Sequence, residues 1–238
     1  MIIKRIKRKL YKALHPVMGE VWMLHRVVEQ RSDTPDQRVL EVTPHFLEQK
    51  ILEYRKRGYT FISIDNLTSR FTNHHSLFTK RFVCLTFDDG YQDNYDIAYP
   101  LLKRLGVPFT VYVTTGFIDN RLPMWWYPGE QLGISADELK VLAADSLCTI
   151  GAHTVSHPRL DTLTREEQYK EIADSKQTLE KILGHPIHHF SFPHGAHNDD
   201  TQAICRQLDF HTVAMAWGGP VRQGCILTLL PRISTIEP

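Results

Sequence analysis

Short apolar runs alternate with longer amphipathic stretches along most of the chain. The runs are rich in β-branched and aromatic residues and end in turn-forming residues, a pattern typical of buried strands. They predict eight strands, at Val21–His25, Thr60–Ile64, Phe82–Phe87, Phe109–Val113, Cys148–Ala152, His189–Phe192, His211–Ala216 and Cys225–Leu230.

The stretches between these strands carry helix start and stop signals. Thr43 suits the cap position of a helix, and Pro44 after it suits the first turn. Three further helices are predicted, from Asp93 or Asn94 to Leu105, from a capping box at Thr164-Arg165-Glu166-Glu167 to about Gly184, and from Asn198 through Leu208. Such strand–helix alternation predicts parallel strands with right-handed crossovers, in an open sheet or a closed barrel.

Composition narrows the class of protein. The 238 residues are 42% hydrophobic, which is enough for a globular core, and the net charge of +1 argues against a nucleic-acid partner. No apolar run approaches the roughly 18 residues that a membrane-spanning helix requires. The chain also lacks the GxGxxG and GxxxxGK[ST] motifs, so nucleotide binding through either is not expected.

The amino-terminal segment differs from the rest of the chain. Residues 1–12 carry six basic residues and no acid, and isoleucines and leucines recur among them at helical spacing. We therefore interpret residues 1–18 as a basic helix or extension and residues 19–238 as a single domain. Two interpretations of the helix stay open, a solvated basic surface and peripheral docking of residues 1–14 on an anionic membrane.

The cysteines and the amino terminus predict a cellular compartment. Four cysteines lie far apart with no CxxC pair, which is not the pattern of a disulfide framework. The first residues lack the apolar region and cleavage site of a signal peptide. The expected location is therefore the cytoplasm, with the inner face of the membrane as the place where residues 1–14 would dock.

Chemically versatile side chains follow several predicted strands. The strand ends present Asp88-Asp89-Gly90, His153-Thr154-Val155-Ser156-His157, Pro193-His194-Gly195 and His25-Arg26. Because the carboxyl ends of parallel strands meet at one face of the fold, these groups are expected to gather there. Each one alone is ordinary, since Asp-Asp-Gly is a common turn and a lone histidine is most often a hydrogen-bonded structural residue.

The combination indicates a metal site. His153 and His157 are four residues apart and would share one face of a helical turn. Two imidazoles and one carboxylate form a ligand set that leaves metal positions open to water and substrate. The second aspartate can then remain off the metal and act as a base.

The same segments resemble a known family. Thr86-Phe87-Asp88-Asp89-Gly90, His153-Thr154-Val155-Ser156-His157 and Phe190-Ser191-Phe192-Pro193-His194-Gly195 are similar to the first three motifs of the polysaccharide deacetylase superfamily, carbohydrate esterase family four, also called the NodB-homology domain. Met23-Leu24-His25-Arg26-Val27 and Leu230-Pro231-Arg232-Ile233 extend the resemblance over roughly residues 20 to 234.

The resemblance implies a fold, an activity and a cofactor. The fold would be a single-domain, distorted (β/α)7 barrel, and residues 19–238 would be its catalytic domain. The activity would be hydrolysis of an N-linked acetyl group from an amino sugar of a polysaccharide or lipid-linked glycan. One divalent ion, Zn²⁺, would be held by Asp89, His153 and His157, with Asp88 as the general base and the backbone N–H of His194 as an oxyanion donor.

Two positions depart from the family pattern. Members end in a Leu-x-His motif whose histidine is the acid, whereas this chain reads Leu230-Pro231-Arg232 and has no histidine after His211. Ser191 stands where the third motif often carries an arginine that orients the base. From position alone, we expect Arg232 to supply that guanidinium and His25 to supply the acid. The structural alternatives are an arginine paired with a carboxylate and a histidine bonded to a carbonyl.

Aromatic residues near the motifs are candidates for sugar binding. We predict substrate contacts from Trp125, Trp126 and Trp217, since aromatic rings stack on sugar faces, and from Pro193 next to His194. For Trp125 and Trp126 the competing interpretation is a loop held together by aromatic packing, and for Trp217 it is a plain turn.

Two rival functions also stay open. One is hydrolysis of another C–N bond, such as a formamide or small amide, and the other is carbohydrate binding without turnover. The sequence does not predict the oligomeric state.

Overall fold

The computed structural model describes residues 15–72 and 81–238. Of the basic helix or extension predicted over residues 1–18, residues 1–14 lie outside these ranges, so the two interpretations of this segment remain predictions. Its last two residues, Val17 and Met18, belong to a strand. Within the described ranges, every helix is too short or too polar to cross a lipid bilayer.

Eleven strands form in the described residues. They are β1 (Val17–Leu24), β2 (Arg26–Val27), β3 (Glu41–Val42), β4 (Thr60–Phe61), β5 (Phe82–Phe87), β6 (Phe109–Val113), β7 (Cys148–Ala152), β8 (His189–Ser191), β9 (Thr212–Gly218), β10 (Val221–Arg222) and β11 (Leu230–Ser234). Seven of them pair in parallel in the ring order β1, β5, β6, β7, β8, β9 and β11. Because β11 pairs again with β1, the ring closes into a barrel.

The remaining strands lie beside this barrel. Strand β4 pairs with the first half of β5, β10 runs antiparallel to β1, and β2 pairs with β3 in a separate two-stranded sheet. The α-helices are α1 (Pro35–Arg38), α2 (Pro44–Lys56), α3 (Ile64–Thr72), α4 (Tyr99–Leu105), α5 (Ala136–Ala144), α6 (Arg165–Leu183) and α7 (Asp199–Gln207). A π-helical turn at Asn94–Ala98 leads into α4.

The main core lies between the barrel wall and the helices. On β5, Val83, Leu85 and Phe87 join this core, while Thr86 between them donates a hydrogen bond from Oγ1 to the carbonyl of Trp22. All six residues of β5 are buried, because helices cover one face of the strand and the barrel interior encloses the other. Alternate residues of β5 therefore face the barrel interior, and among them the polar Thr86 lies close to the end of the strand.

The strand predictions are confirmed in the central part of the chain. β5, β6 and β7 have the predicted bounds. β1 begins earlier than predicted, at Val17, so the expected domain boundary between residues 18 and 19 falls inside this strand. The strand predicted at Thr60–Ile64 ends at Phe61, and the helix α3 begins at Ile64.

The last predicted strand is wrong. Cys225–Leu230 contains a 3₁₀ turn at Leu227–Leu229, and the strand follows it at Leu230–Ser234. Leu227 and Leu229 of this run pack partly buried against the core clusters, and Ile226 is 62% exposed. Of the six residues, only Leu230 pairs with a neighbouring strand. Pro231 argues against a strand because it lacks a backbone donor, yet it is accommodated where the register of β11 against β9 shifts.

The predicted helix caps are confirmed. Thr43 Oγ1 accepts a hydrogen bond from the backbone of Phe46, and Thr164 and Asn198 each begin a helix with a complete capping box. The helices α1, α3 and α5 were not predicted from the sequence. The α5 signal was present, since Ser135 and Glu138 form a reciprocal capping box.

The start of α5 supports the loop that follows β5. Glu138 Oε1 accepts a hydrogen bond of 2.6 Å from Gln92, and the backbone of Ile134 donates to the carbonyl of Gly90 at 3.1 Å. This loop begins with Asp88 and Asp89, so the helix cap contributes to holding the candidate site in place.

We predict that Ser135→Ala lowers the free energy of unfolding by about 1 kcal/mol, because it removes the acceptor for the Glu138 backbone N–H. Ser135→Asp keeps a side-chain acceptor and should retain most of that stability. Urea unfolding of the three proteins measures the difference. Equal stability of the alanine variant and the wild type would show that the cap contributes nothing.

Candidate active site

A cavity of about 720 Å³ opens at the carboxyl ends of the barrel strands. It is lined by side chains from the ends of four strands, namely His25, Asp88, Asp89, His153, His157 and His194. The closed barrel brings these ends together although they are far apart in sequence.

Asp89, His153 and His157 form a buried cluster inside this cavity. Asp89 Oδ1 lies 3.5 Å from His153 Nε2 and 3.3 Å from His157 Nε2. Both distances are long for N–H···O hydrogen bonds, and Asp89 Oδ1 has no hydrogen-bond partner among the described residues. Ligands around a tetrahedral ion with bonds of about 2.0–2.2 Å are separated by about 3.3–3.5 Å, which matches the observed distances.

The hydrogen bonding of His153 supports a cation at this position. Its Nδ1 lies 2.8 Å from the carbonyl oxygen of Ser191, which can only accept, so Nδ1 carries the proton. In the neutral ring, Nε2 then directs a lone pair toward the Asp89 carboxylate. Two such electron-rich atoms repel each other unless a positive charge lies between them. One proton would relieve one contact, whereas one metal ion would relieve both.

Electrostatics keep the Asp89 carboxyl ionised. Burial opposes its charge, but positive charge among the neighbouring His157 and His153 rings holds the pKa of Asp89 well below its usual range. The ionised carboxylate is the form that ligates a metal. The residues present therefore fit a divalent ion.

The two histidines are not joined by a helical turn, so the predicted geometry of this motif is wrong. The segment is a tight non-helical turn in which Thr154 and His157 have left-handed backbone angles, with φ of 68° and 61°. Backbone N–H groups of Thr115 and Gly116 bind the carbonyls of Thr154 and Val155 at 3.0 and 2.8 Å. The four-residue spacing brings the two rings together through this turn, at 5.1 Å between centroids.

Asp88 lies next to this cluster and is held by Arg232. The guanidinium donates two parallel hydrogen bonds to the carboxylate, at 2.7 Å to Oδ1 and 2.6 Å to Oδ2. Arg232 also donates to Ser191 Oγ at 2.9 Å and to the carbonyl of Met215 at 2.6 Å. Burial opposes the charge of Asp88, but Arg232 and His153 hold its pKa below the ordinary value.

This geometry accounts for the departure at Ser191. The arginine comes from β11 instead of β8, and the small serine hydroxyl accepts one of its N–H groups. Ser191 Oγ also lies 3.5 Å from Asp88 Oδ2. The structure thus brings Arg232 and Asp88 together, as expected. This contact fits both interpretations of Arg232, a guanidinium that orients the base and an arginine paired with a carboxylate.

Two further imidazoles, those of His25 and His194, line the cavity. Burial lowers the pKa of His25, although the nearby Asp89 and Asp88 partly offset this effect. The Asn94 side chain donates to the carbonyl of His25 at 2.8 Å and fixes its backbone. His194 has a left-handed backbone with φ of 56°, and its ring centroid lies 4.6 Å from that of His157.

The residues predicted to bind the sugar fall into two groups, those that line the cavity and those that do not. Trp125 and Trp126 line the cavity, and Trp125 is 68% exposed there. Trp126 instead packs into the wall, with its Nε1 donating to Tyr91 Oη at 2.6 Å. Pro193 is buried and Trp217 is 60% exposed, and neither is among the residues that line the cavity.

One cavity wall was not predicted from the sequence. It is formed by the segment around α1, including Gln37 and Leu40. Gln37 Nε2 donates to the carbonyl of Trp126 at 3.2 Å and so ties this segment to the aromatic wall. The segment is short and polar, and nothing in its pattern distinguishes it from a surface loop.

Comparison with known families agrees with this site. The family model described as polysaccharide deacetylase matches residues 76–213, more than half of the chain. The chain belongs to the polysaccharide deacetylase family. The resemblance inferred from the motifs is thereby confirmed, and so is the distorted seven-stranded parallel barrel.

Individual members of this family match parts of the chain. YxkH of Bacillus subtilis (strain 168) is 32% identical over 123 residues, which make up 52% of this chain and 40% of that protein. The poly-beta-1,6-N-acetyl-D-glucosamine N-deacetylase of Staphylococcus aureus (strain MSSA476) is 27% identical over 145 residues, 55% of this chain and 46% of that protein. The chain thus spans less than half of either relative.

A solved structure in the family matches nearly the whole chain. The Streptococcus pyogenes deacetylase PplD, solved in complex with acetate, has a TM-score of 0.78 and 27% sequence identity. The match covers 93% of each of the two chains.

We predict that Arg232→Met lowers the free energy of unfolding by about 3–5 kcal/mol, because it leaves the Asp88 carboxylate buried without its partner. The double variant Asp88→Leu/Arg232→Met removes both charges and should recover most of that loss. Urea unfolding of the metal-free proteins gives the double-mutant cycle. If the two single losses add to within about 0.5 kcal/mol, the pair is not coupled.

Proposed function

We propose that the protein is a metal-dependent hydrolase that removes an N-linked acetyl group from an amino sugar. The observation that carries this proposal is the buried cluster of Asp89, His153 and His157 beside the Asp88–Arg232 pair, in a cavity large enough for a sugar. Membership of the polysaccharide deacetylase family supports the same reaction.

We further propose that the ion is Zn²⁺, one per chain, held by Asp89, His153 and His157. Two imidazoles and one carboxylate suit zinc, and such a set leaves room for substrate. When bound there, the ion would supply a Lewis acid for the acetyl carbonyl and increase the acidity of a neighbouring water.

Asp88 is the proposed general base. It lines the cavity next to Asp89, and its ionised carboxylate can accept a proton from the attacking water. Arg232 acts as a positioning residue, since its two parallel hydrogen bonds fix the plane of that carboxylate. Asp88 Oδ1, which accepts one hydrogen bond from Arg232, retains a further lone pair with which to accept the water proton.

The later steps need an oxyanion donor and an acid. The backbone N–H of His194 is the proposed donor to the carbonyl oxygen as the negative charge develops there. His25 is the proposed acid, which transfers a proton to the sugar nitrogen as the C–N bond breaks to give acetate and amine. Its lowered pKa makes the protonated ring a stronger proton donor than an ordinary imidazolium and also limits the protonated fraction at neutral pH.

The proposed substrate class is a glycan of N-acetylated glucosamine, either a polysaccharide or a lipid-linked precursor. The exposed ring of Trp125 at the cavity offers a face for a sugar ring. Pro193 and Trp217, which are not among the lining residues, remain predicted contacts. The Staphylococcus aureus relative is named for a poly-beta-1,6-linked substrate of this kind. The cytoplasmic location and the membrane contact of residues 1–14 stay predictions of the sequence.

We predict that Asp88→Asn reduces the rate of acetate release from N-acetylglucosamine oligomers by about 10²–10⁴-fold, because the amide cannot accept the water proton. The variant should keep its metal, since Asp88 lies outside the ligand cluster. Acetate and formate are quantified in the same reactions, together with metal content. Release of formate alone from N-formylated substrates would identify hydrolysis of a different C–N bond, and binding of oligomers without any release would identify a carbohydrate-binding protein.

We also predict that His25→Gln lowers kcat by about 10²–10⁴-fold, with a smaller effect on KM, because it removes the proton donor for the sugar nitrogen. The matched control is His45→Gln, which changes an exposed histidine on α2 and should leave kcat unchanged. Steady-state kinetics on one oligomer measure both. Undiminished turnover in the His25 variant would eliminate this residue as the acid.

A further inference from the structure

The turn between His153 and His157 needs support from outside itself. Two of its non-glycine residues, Thr154 and His157, have left-handed backbone angles, and this conformation is uncommon for such residues. It persists only where the surrounding structure fixes it. The contacts that hold this turn therefore determine where the His157 ring lies.

Glu171 on α6 provides contacts of this kind. Its Oε2 accepts hydrogen bonds from the backbone N–H groups of Val155 and Ser156, both at 2.9 Å, and its Oε1 accepts from Ser156 Oγ at 2.7 Å. Bonds to an ionised carboxylate are roughly twice as strong as neutral ones. One side chain thus binds three donors in the middle of the turn.

The opposite side of the turn is bound by the segment after β6. The backbone N–H groups of Thr115 and Gly116 donate to the carbonyls of Thr154 and Val155. Within the turn, the backbone N–H of His157 donates to Thr154 Oγ1 at 3.1 Å. The turn is therefore held between backbone donors on one side and the Glu171 carboxylate on the other.

We infer that Glu171 is a positioning residue for the metal site, which fixes the turn so that His157 Nε2 faces Asp89 Oδ1 across 3.3 Å. Glu171 does not line the cavity, so it acts through the turn and not through substrate. This inference rests on the proposed metal site and assigns to α6 a part in building it.

The test measures Zn²⁺ affinity of the metal-free protein by competition with a chromogenic chelator. Glu171→Ala removes all three acceptor contacts and should weaken Zn²⁺ binding by about 10- to 100-fold, as expected for a residue that orients a ligand. Glu171→Gln keeps one carbonyl oxygen for the two backbone donors, so its loss should be smaller. This graded order is not expected if only the charge matters.

The matched control is Asp174→Asn, on the same helix three residues later. Asp174 lies in the same surface groove as Glu171 and makes no hydrogen bond to residues 154–157 in the described structure. Its substitution removes the same charge, and the Zn²⁺ affinity should stay unchanged. Urea unfolding of each metal-free variant reports on global stability separately.

The outcomes distinguish this inference from the proposed function. Weaker Zn²⁺ binding in Glu171→Gln at a wild-type unfolding midpoint supports the positioning role, even if Glu171→Ala does not fold. Wild-type Zn²⁺ affinity in the Glu171 variants, or an equal loss in Asp174→Asn, overturns it while the metal site stands. A wild-type protein that binds no Zn²⁺ overturns the proposed metal site and this inference together.

Discussion

The site depends on one electrostatic constraint, the placement of an ionised, buried carboxylate against two imidazole nitrogens. Within residues 15–72 and 81–238, Asp89 Oδ1 has no hydrogen-bond partner, and the Ser191 carbonyl fixes the proton of His153 on the ring nitrogen that points away from Asp89. Such an arrangement is unfavourable unless a cation lies among the three groups. The left-handed turn that carries His157 and the closure of the barrel both serve to maintain it.

The second feature of the site is that the two adjacent aspartates, Asp88 and Asp89, have different partners. Asp89 faces the histidines, whereas Asp88 is bound on both oxygens by Arg232, so neighbouring residues on one loop have different partners. The guanidinium reaches Asp88 from β11, across the barrel interior, and the short Ser191 side chain leaves room for it. The guanidinium that the family motifs associate with one strand thus comes here from another, because the closed barrel brings Arg232 on β11 within hydrogen-bonding distance of Asp88.

The sequence predicted those parts of the molecule that depend on local signals. Apolar runs gave the bounds of β5, β6 and β7, and side-chain caps located the helices at Thr43, Thr164 and Asn198. Predictions failed where long-range contacts decide the outcome. The run at Cys225–Leu230 forms a 3₁₀ turn before the strand begins at Leu230, and the His153–His157 spacing follows a strained turn. The wall around α1 is placed only by tertiary contacts such as that from Gln37 to the Trp126 carbonyl.

Metal content per chain tests the central claim most directly. Elemental mass spectrometry of purified wild type and Asp89→Ala, after reconstitution with Zn²⁺ and removal of free ion, would measure it. The account predicts about one ion per wild-type chain and its loss in the variant, because Asp89 contributes the only carboxylate of the described cluster. Absence of metal from the wild type, or equal metal in both proteins, would contradict it.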